Sequence, residues 1–478
     1  MSIGYCSILG LLLIGLQTFV MGQDQSAQQP ADDSSTTRSA PAPAPALYGI
    51  MGLDTESEGQ AGEDLPQIPV FLGGQGTPLA FTTEMERSNY LRGGINVSEG
   101  YNDNALLTPA GQGGNTTFSV FPNIALVESS ARMRWSLAYG AGLTVNQRLS
   151  SQDQGSHNLR FDSQFRLSPH VNLHAAENFS LISGIFGATA GSDFQPGTGG
   201  SNGTLITPLA NQKSSQTVVE TNYHFALKDV VGASGSFYDL HYSDVSTGPG
   251  TLTNTRTAAG SGFWLHELFH GDWAGISYRF QRMTYDPSGE TRVHTFSVTD
   301  TLSISKAFHV SAFIGPEYSD NQGIAATGPD AGQVTSFGDW GVSGGVEGGW
   351  QSARTSVTAG YSKHVSDGSG ILGAVRLQSA RAAMRRELFP DWAANLLVSY
   401  GSNQALTLVT ATTATSIKTT SVGASLERNV GKSLGFQIGY FHDFQDQSSS
   451  ADPTQNYNVD RNRFLVTLSY QWAKPLGR

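Results

Sequence analysis

The chain has 478 residues, of which 38% are apolar and 14% charged, with a formal net charge of −11. No segment approaches the roughly 18 to 20 apolar residues that a membrane-spanning helix needs, which excludes a helical membrane protein. The single cysteine, Cys6, excludes a disulfide framework, and the acidic balance gives no reason to expect a nucleic-acid partner.

The N-terminal region divides into two parts. Residues 1–22 carry no charged side chain and contain an apolar run from Ile8 to Val20, which predicts a secretory signal peptide. Residues 23–86 hold ten acidic side chains and one basic one, a net charge of −9, in a Ser/Thr/Gln- and Ala-Pro-rich segment. Because this composition cannot bury a core, we predict a disordered arm. In the barrel that the later segments predict, the first strand starts on the periplasmic side, so the arm is periplasmic or lies in the barrel lumen.

From Tyr90 onward, a pair of strand-like segments joined by a long Gly/Ser/Asp/Asn-rich loop recurs nine times. Each segment has about 10 to 14 residues, the length that a tilted strand needs to cross a bilayer. Short turns opposite long loops are typical of outer-membrane barrels. The short links are Glu128–Ala131, Ser168–His170, Lys228–Asp229, His270–Asp272, Lys306–His309, Gln351–Arg354, Phe389–Asp391 and Asn429–Ser433.

Apolar and polar side chains alternate within the segments. Trp135 and Leu137, for example, alternate with Arg134 and Ser136, which predicts one face toward lipid and one toward water. Aromatic residues also recur near the outer ends of the outgoing strands, with most successive gaps close to 40 residues, as expected for a girdle. They are Tyr101, Tyr139, Phe179, Tyr242, Tyr285, Tyr318, Tyr361, Tyr400 and Tyr440.

Three residues conflict with this alternation. Glu177 and Asp300 fall on the apolar phase of their segments, and Tyr285 is out of phase with Tyr278. A β-bulge or a position near the lipid headgroups would accommodate each of them.

These patterns predict an all-β fold, a transmembrane antiparallel β-barrel of about 18 strands over residues 87–472, followed by a tail over 473–478. The segments Gly100–Leu107, Ser119–Leu126 and Leu137–Gly140 resemble those of outer-membrane β-barrel porins from Acidobacteria and other Gram-negative bacteria. This resemblance implies the barrel and a porin-like role in the outer membrane, without catalytic residues. The last strand, Phe464–Trp472, resembles the aromatic-terminated signal that the barrel assembly machinery recognises.

Two motifs have the letters of enzyme sites. His266–His270 matches H-E-x-x-H, but that motif presents its ligands on a helix, and here it ends a strand. Gly341–Gly345 matches the serine nucleophile elbow, yet it lies inside a strand. We therefore expect no catalytic, cofactor or metal site, and we expect that the protein is not an enzyme.

Arginines on the inward phase are candidates for pore lining: Arg132, Arg134, Arg160, Arg166, Arg279, Arg381 and Arg385. Rings of arginine in a lumen favour anions. An equally weighted alternative is that they pair with Asp162, Glu347 and Glu427 to stiffen the wall.

The predicted function is passive passage of small hydrophilic solutes, or of a polymer, through a pore that Gly184–Gln212 constricts. The alternatives are a barrel hydrolase of lipase or protease type and a surface adhesin or structural barrel. Expected partners are outer-membrane lipids, the assembly machinery and the solutes, and the sequence leaves a homo-oligomer open.

Overall fold

A computed structural model describes most of the chain from residue 89 onward. The described ranges are 89–105, 113–150, 153–183, 211–242, 253–269, 272–286, 289–305, 307–324, 334–368, 373–406, 415–431, 433–449 and 456–476. The predicted signal peptide, the acidic arm and most of Gly184–Gln212 lie outside these ranges. No helix among the described residues is long and apolar enough to cross a membrane.

The described chain forms eighteen strands in one sheet, as the fold prediction required. They are β1 (Tyr90–Asn102), β2 (Asn115–Ser129), β3 (Met133–Asn146), β4 (Gln154–Arg166), β5 (Val171–Ser183), β6 (Asn211–Ala226), β7 (Asp229–Tyr242), β8 (Asn254–Phe269), β9 (Asp272–Asp286), β10 (Glu290–Ser305), β11 (Phe308–Ile324), β12 (Val334–Gln351), β13 (Thr355–Ser366), β14 (Val375–Phe389), β15 (Trp392–Ala405), β16 (Thr415–Val430), β17 (Leu434–Ser449) and β18 (Tyr457–Pro475).

Pairing between the first and last strands closes the sheet into a barrel. β1 pairs antiparallel with β2 on one side and with β18 on the other, in a register that runs from Tyr90 opposite Pro475 to Asn102 opposite Arg463. Closure removes the sheet edges that would leave backbone groups unpaired in hydrocarbon. β18 continues to Pro475, so the first residues after Trp472 are part of the wall.

Links at one end of the barrel have two to four residues, at the positions that the sequence predicted. We call this the turn end, and both chain ends of the barrel lie there. At the opposite end, the loop end, the links have seven or more residues with one exception. The exception joins β9 to β10 through three residues, and the nitrogen of Tyr285 donates to the carbonyl of Gly289.

The predicted alternation of faces holds along the wall. Leu137, Tyr139 and Leu143 on β3 point outward and are 40–56% exposed, whereas Ser136 and Thr144 point inward and are buried. Other strands repeat this arrangement, so a belt of exposed apolar side chains surrounds the barrel and a polar inner face lines it. This is the arrangement of a transmembrane barrel.

Two members of the predicted girdle point the other way. Tyr242 and Tyr285 are buried on the inner face, at 4% and 8% exposure, so placing them in the girdle was wrong. Tyr285 is an odd number of residues from Tyr278, and β9 has no register shift between them, so the two side chains lie on opposite faces. The outward aromatic residues on β9 are Tyr278 and Phe280, and on β7 the outward one is Phe237.

Glu177 and Asp300 do lie on the outer face, and the register shows no bulge at either position. Ser215 donates a hydrogen bond of 2.7 Å to the Glu177 carboxylate, and Thr217 donates a second one. Hydroxyl groups of β6, rather than a bulge, therefore satisfy Glu177.

The asymmetry of link lengths predicts that the loop end is extracellular. We expect a membrane-impermeant maleimide to label Ser448→Cys on intact cells, because this exposed residue lies at the loop end of β17. The matched variant Ser352→Cys lies in the turn between β12 and β13 and should react only after lysis. Labelling of Ser352→Cys alone on intact cells would reverse the orientation.

Candidate functional site: the lumen and its constriction

The hairpin of β13 and β14 leaves the wall at the loop end. Pairing between β12 and β13 stops where Gly344 faces Lys363, although β12 extends a further ten residues to Val334. We call this unpaired stretch, between residues 334–343 of β12 and residues 364–366 of β13, the seam. Beyond this point β13 stays paired with β14 and the two strands turn inward together.

The inward course of this hairpin is fixed by apolar contacts across the lumen. Val365 and Ala374 pack against Met283, Tyr285 and Val293, which point inward from β9 and β10. All five side chains are at most 8% exposed. Since β9 and β10 lie several strands away around the wall, the hairpin crosses part of the lumen and narrows it at the loop end.

Charged side chains replace the missing backbone bonds at the seam. The carboxylate of Glu317 on β11 accepts a hydrogen bond of 3.2 Å from the backbone nitrogen of Val365. The guanidinium of Arg376 on β14 donates at 2.6 Å to Asp339 on β12. Each contact satisfies a polar group that would otherwise be unpaired, so both hold the bent hairpin against the wall.

Phenol groups surround the tip of the hairpin. Asp367 is buried and lies within electrostatic range of Tyr238, Tyr242 and Tyr285 on the opposite inner wall. The narrowed part of the lumen therefore combines one aspartate, three phenols and the charged groups of the seam. The aspartate and the three phenols are at most 8% exposed, so they fill the space between the tip of the hairpin and the opposite wall.

This constriction was not predicted from the sequence. The predicted constricting loop, Gly184–Gln212, lies almost wholly outside the described residues, so its role stays a prediction. One signal for the hairpin was available: Val375 and Leu377 are apolar on the inward phase, next to the loop end. Both are buried by the inward fold, at 0% and 7% exposure.

The structure separates the seven predicted arginines into two groups. Arg381 lies 3.4 Å from Glu347, Arg385 lies 2.6 Å from Glu427, and Arg279 interacts electrostatically with Glu317. These three arginines therefore have acidic partners. Two of the partners, Glu347 and Glu427, are among those that the wall-stiffening alternative named.

The second group lies on and beside β3 and β4. No ion pair joins Arg134, Arg160 or Arg166 to any other described residue, and Arg132 is exposed in the turn before β3. The predicted partner Asp162 instead accepts from His174 at 2.9 Å. The inner face of β3 and β4 is therefore a basic surface, which we call the basic wall.

A buried charge cluster on β17 and β18 was missed by the sequence analysis. Asp443 lies 2.8 Å from Arg461 and 2.9 Å from Arg463, and the guanidinium of Arg463 lies over the ring of Phe441. Arg461 and Arg463 share the inward phase with Ser469, so alternation could have found them. The Asp443 carboxylate therefore lies between two guanidinium groups on the inner face of β17 and β18.

The enzyme-like motifs do not assemble sites among the described residues. His266 lies on β8 and contacts the Asp229 carboxylate at 2.9 Å, while His270 is outside the described ranges. In a strand, positions four apart are about 13 Å from each other, too far to share a metal ion. No group of three potential metal ligands occurs within the described ranges. Ser343 lies in β12 and donates to the carbonyl of Lys363.

Comparisons with known proteins show similarity at the level of architecture. No family model and no curated protein matches the sequence. The chain is similar to the ferric citrate transporter FecA in its unliganded form, with 8% identity and a TM-score of 0.45, over 82% of this chain and 80% of that chain. It is also similar to OpdQ of Pseudomonas aeruginosa, with 12% identity and a TM-score of 0.40, over 81% and 99%.

A third similar structure is OccAB3 of Acinetobacter baumannii, with 11% identity and a TM-score of 0.42, over 81% and 99%. These neighbours are outer-membrane β-barrel proteins. Nothing among them supports the predicted link to the Acidobacteria group. Identities this low assign neither a family nor a solute.

The paired arginines should differ in their contribution to stability. Arg385→Ala leaves the Glu427 carboxylate, which is 3% exposed, without its cation, and we expect a loss of about 3 kcal/mol. Arg381→Ala removes an exposed pair and should change the free energy of unfolding by less than about 1 kcal/mol. Denaturant unfolding in detergent micelles measures both. Equal losses would show that burial of Glu427 does not determine the effect.

Proposed function

We propose that this protein is an outer-membrane channel for the passive passage of small hydrophilic solutes. The observation that carries the proposal is the polar and charged inner face of a closed 18-stranded barrel whose outer face is apolar. Barrels of this strand number are wide enough to contain an aqueous passage. The charged lining is stable only if water reaches it, since an unpaired guanidinium in a dry interior would be very costly.

Two features of the lumen would determine which solutes pass. The inward hairpin of β13 and β14 would set the size limit at the loop end, because it occupies part of the cross-section. The basic wall would then act on charge, since the arginines of β3 and β4 have no acidic partner among the described residues. Size exclusion followed by electrostatic preference is a mechanism that requires neither an energy source nor a conformational step.

The hydrolase alternative has less support. An active site at the rim would need a histidine next to a serine or an acidic residue facing water. His266 does contact Asp229, but both lie on the outward phase of their strands near the turn end. This pair also accepts a bond from the indole nitrogen of Trp264, as expected for an interfacial aromatic residue. We therefore propose that the protein is not an enzyme.

Partners follow from the same proposal. The barrel would contact outer-membrane lipids over its apolar belt. β18, which closes the wall on β1, would be the segment that the assembly machinery recognises, and its outward residues Phe464, Tyr470 and Trp472 are exposed.

The basic wall predicts anion preference. We expect the triple variant Arg134→Ala, Arg160→Ala, Arg166→Ala to lower the chloride-to-potassium permeability ratio, most strongly at low salt, where screening is weak. The reversal potential of purified protein in a planar bilayer under a KCl gradient measures this ratio. The double variant Arg381→Ala, Glu347→Ala serves as the control, because it removes both members of a balanced pair and leaves the net charge of the lumen unchanged. A triple variant with the wild-type reversal potential would show that these arginines do not face the ion path.

A further inference from the structure

The turn end of β3 and β4 places three arginines side by side on the inward phase of the wall. The register of the two strands sets Met133 opposite Phe165, and one residue further Arg132 lies opposite Arg166. The backbone nitrogen of Arg166 donates to the carbonyl of Arg132 at 2.7 Å, so the ladder continues to this pair. Arg134 lies diagonally across from Arg166. We call Arg132, Arg134 and Arg166 the arginine cluster.

This register brings the three cations close to one another. Opposed residues that share a backbone hydrogen bond have Cα atoms about 5.5 Å apart, and diagonal neighbours are about 7 to 8 Å apart. Like charges that are directly opposite destabilise a sheet. Among the described residues, no carboxylate forms an ion pair with a member of the cluster, and Asp162, diagonal to Arg134, accepts a hydrogen bond from His174. Three positive charges therefore face one part of the lumen without a carboxylate bound to them.

Inward arginines on β14 show the contrasting arrangement. Arg385 contacts the Glu427 carboxylate at 2.6 Å, and Arg381 lies 3.4 Å from Glu347. Each of these arginines meets a carboxylate of the wall, as expected for charges that link strands. Two opposed arginines cannot link strands in this way, because they repel each other unless an anion lies between their guanidinium groups. The arginine cluster therefore has the composition of an anion site.

Two neutral side chains border the arginine cluster and can also donate hydrogen bonds. Ser129 lies opposite Arg134 and is 8% exposed, and its hydroxyl oxygen has no hydrogen-bond partner. The backbone nitrogen of Ser129 donates to the side chain of Asn89 at 3.0 Å, which holds the residue in place. Asn172 lies opposite Arg166 on β5. A buried hydroxyl without a partner is costly, and a bound oxyanion would satisfy it.

The charge and geometry of these donors favour a phosphoryl group. A guanidinium group binds two phosphate oxygens in a fork, and several guanidinium groups can share one phosphoryl group because it has three terminal oxygens and nearly two negative charges near neutral pH. A carboxylate offers two oxygens and one charge, which suit a single arginine. The cluster lies at the turn-end mouth of the lumen, and Arg160 lies six residues deeper on β4.

We propose that the arginine cluster, together with Ser129, is a binding site for a doubly charged phosphoryl group, carried by free phosphate or by a small phosphate monoester. Arg132 and Arg166 bind the group from two adjacent strands, Arg134 binds a further oxygen, and the hydroxyl of Ser129 donates to it. The role of the site in selecting solutes rests on the proposed channel function. The binding step itself requires no passage.

Calorimetric titration of the folded full chain in detergent micelles tests the site without any passage. At about pH 7.5, where a phosphate monoester carries nearly two charges, the wild type should bind glucose 6-phosphate at least about tenfold more tightly than glucuronate. Arg166→Gln should lower the affinity for glucose 6-phosphate at least about tenfold, and Ser129→Ala should lower it by about two- to tenfold.

The matched control for these variants is Arg256→Gln, which removes an exposed outward arginine at the loop end and should keep the wild-type affinity. Equal affinities for glucose 6-phosphate and glucuronate, or full affinity in Arg166→Gln, would overturn the site. Titration with inorganic phosphate distinguishes the two sources of the phosphoryl group. Binding as tight as that of glucose 6-phosphate assigns the site to free phosphate, and weaker binding assigns it to monoesters.

Stability gives a second readout, which depends on the opposed pair. Without phosphate, Arg166→Gln should raise the midpoint of denaturant unfolding, because it removes the repulsion between Arg166 and Arg132. Saturating glucose 6-phosphate should raise the midpoint of the wild type and leave that of the variant unchanged. A lower midpoint for the phosphate-free variant would contradict the repulsion on which the site depends. Bilayer conductance reports separately on the proposed channel, since a closed lumen would leave these midpoint shifts intact.

Discussion

The requirement that every backbone amide and carbonyl be paired within the hydrocarbon layer determines the rest of this structure. It forces the chain into a closed ladder, in which β1 must pair with β18 as well as with β2. Closure in turn gives each strand two faces with different surroundings, so alternate side chains meet lipid and water. The same requirement explains the charged seam. Where β13 leaves β12, Glu317 binds the amide of Val365, which the ladder no longer satisfies.

The inward arginines of the described residues fall into two sets, those paired with a carboxylate and those without such a partner. On β12 to β16, Glu347 and Glu427 neutralise Arg381 and Arg385, and each of the two pairs reaches across one intervening strand. Among the described residues, the arginines of β3 and β4 have no such partners, and Asp162 is hydrogen-bonded to His174. Burial explains part of this division, because Glu427 is almost inaccessible and needs a cation, whereas side chains that water reaches do not. In the proposed channel, this unbalanced surface would be the part of the lumen that attracts an anionic solute.

Local patterns made most of the fold predictable. Alternation placed Leu137 outward and Ser136 inward, and the short links placed the turns within one or two residues of their positions. The alternation of successive side chains between the two faces of a strand also explains why placing Tyr242 and Tyr285 in the girdle was wrong. Their recurrence about every 40 residues suggested a girdle, but each is an odd number of residues from the outward aromatic residue of its strand. The face on which a residue lies, read from its position within the strand, is therefore a better guide to its environment than its recurrence along the chain.

The candidate site was less predictable because its contacts are remote in sequence. Nothing local to Val365 indicates that it will pack against Met283 and Val293, and no period relates Arg376 to Asp339. Strand phase identified Glu347 and Glu427 as partners of inward arginines, since both members of each pair lie on the same face. Strand phase could not choose between arginine and histidine as the partner of Asp162, because both residue types lie on the inner face of strands adjacent to β4.

The central claim is that the lumen is an open aqueous path, and single-channel recording tests it most directly. Purified, folded protein in a planar lipid bilayer should give discrete conductance steps that scale with bulk salt conductivity, as expected for water-filled passage. Verified insertion of folded barrels without any conductance above that of the bare bilayer would contradict the account.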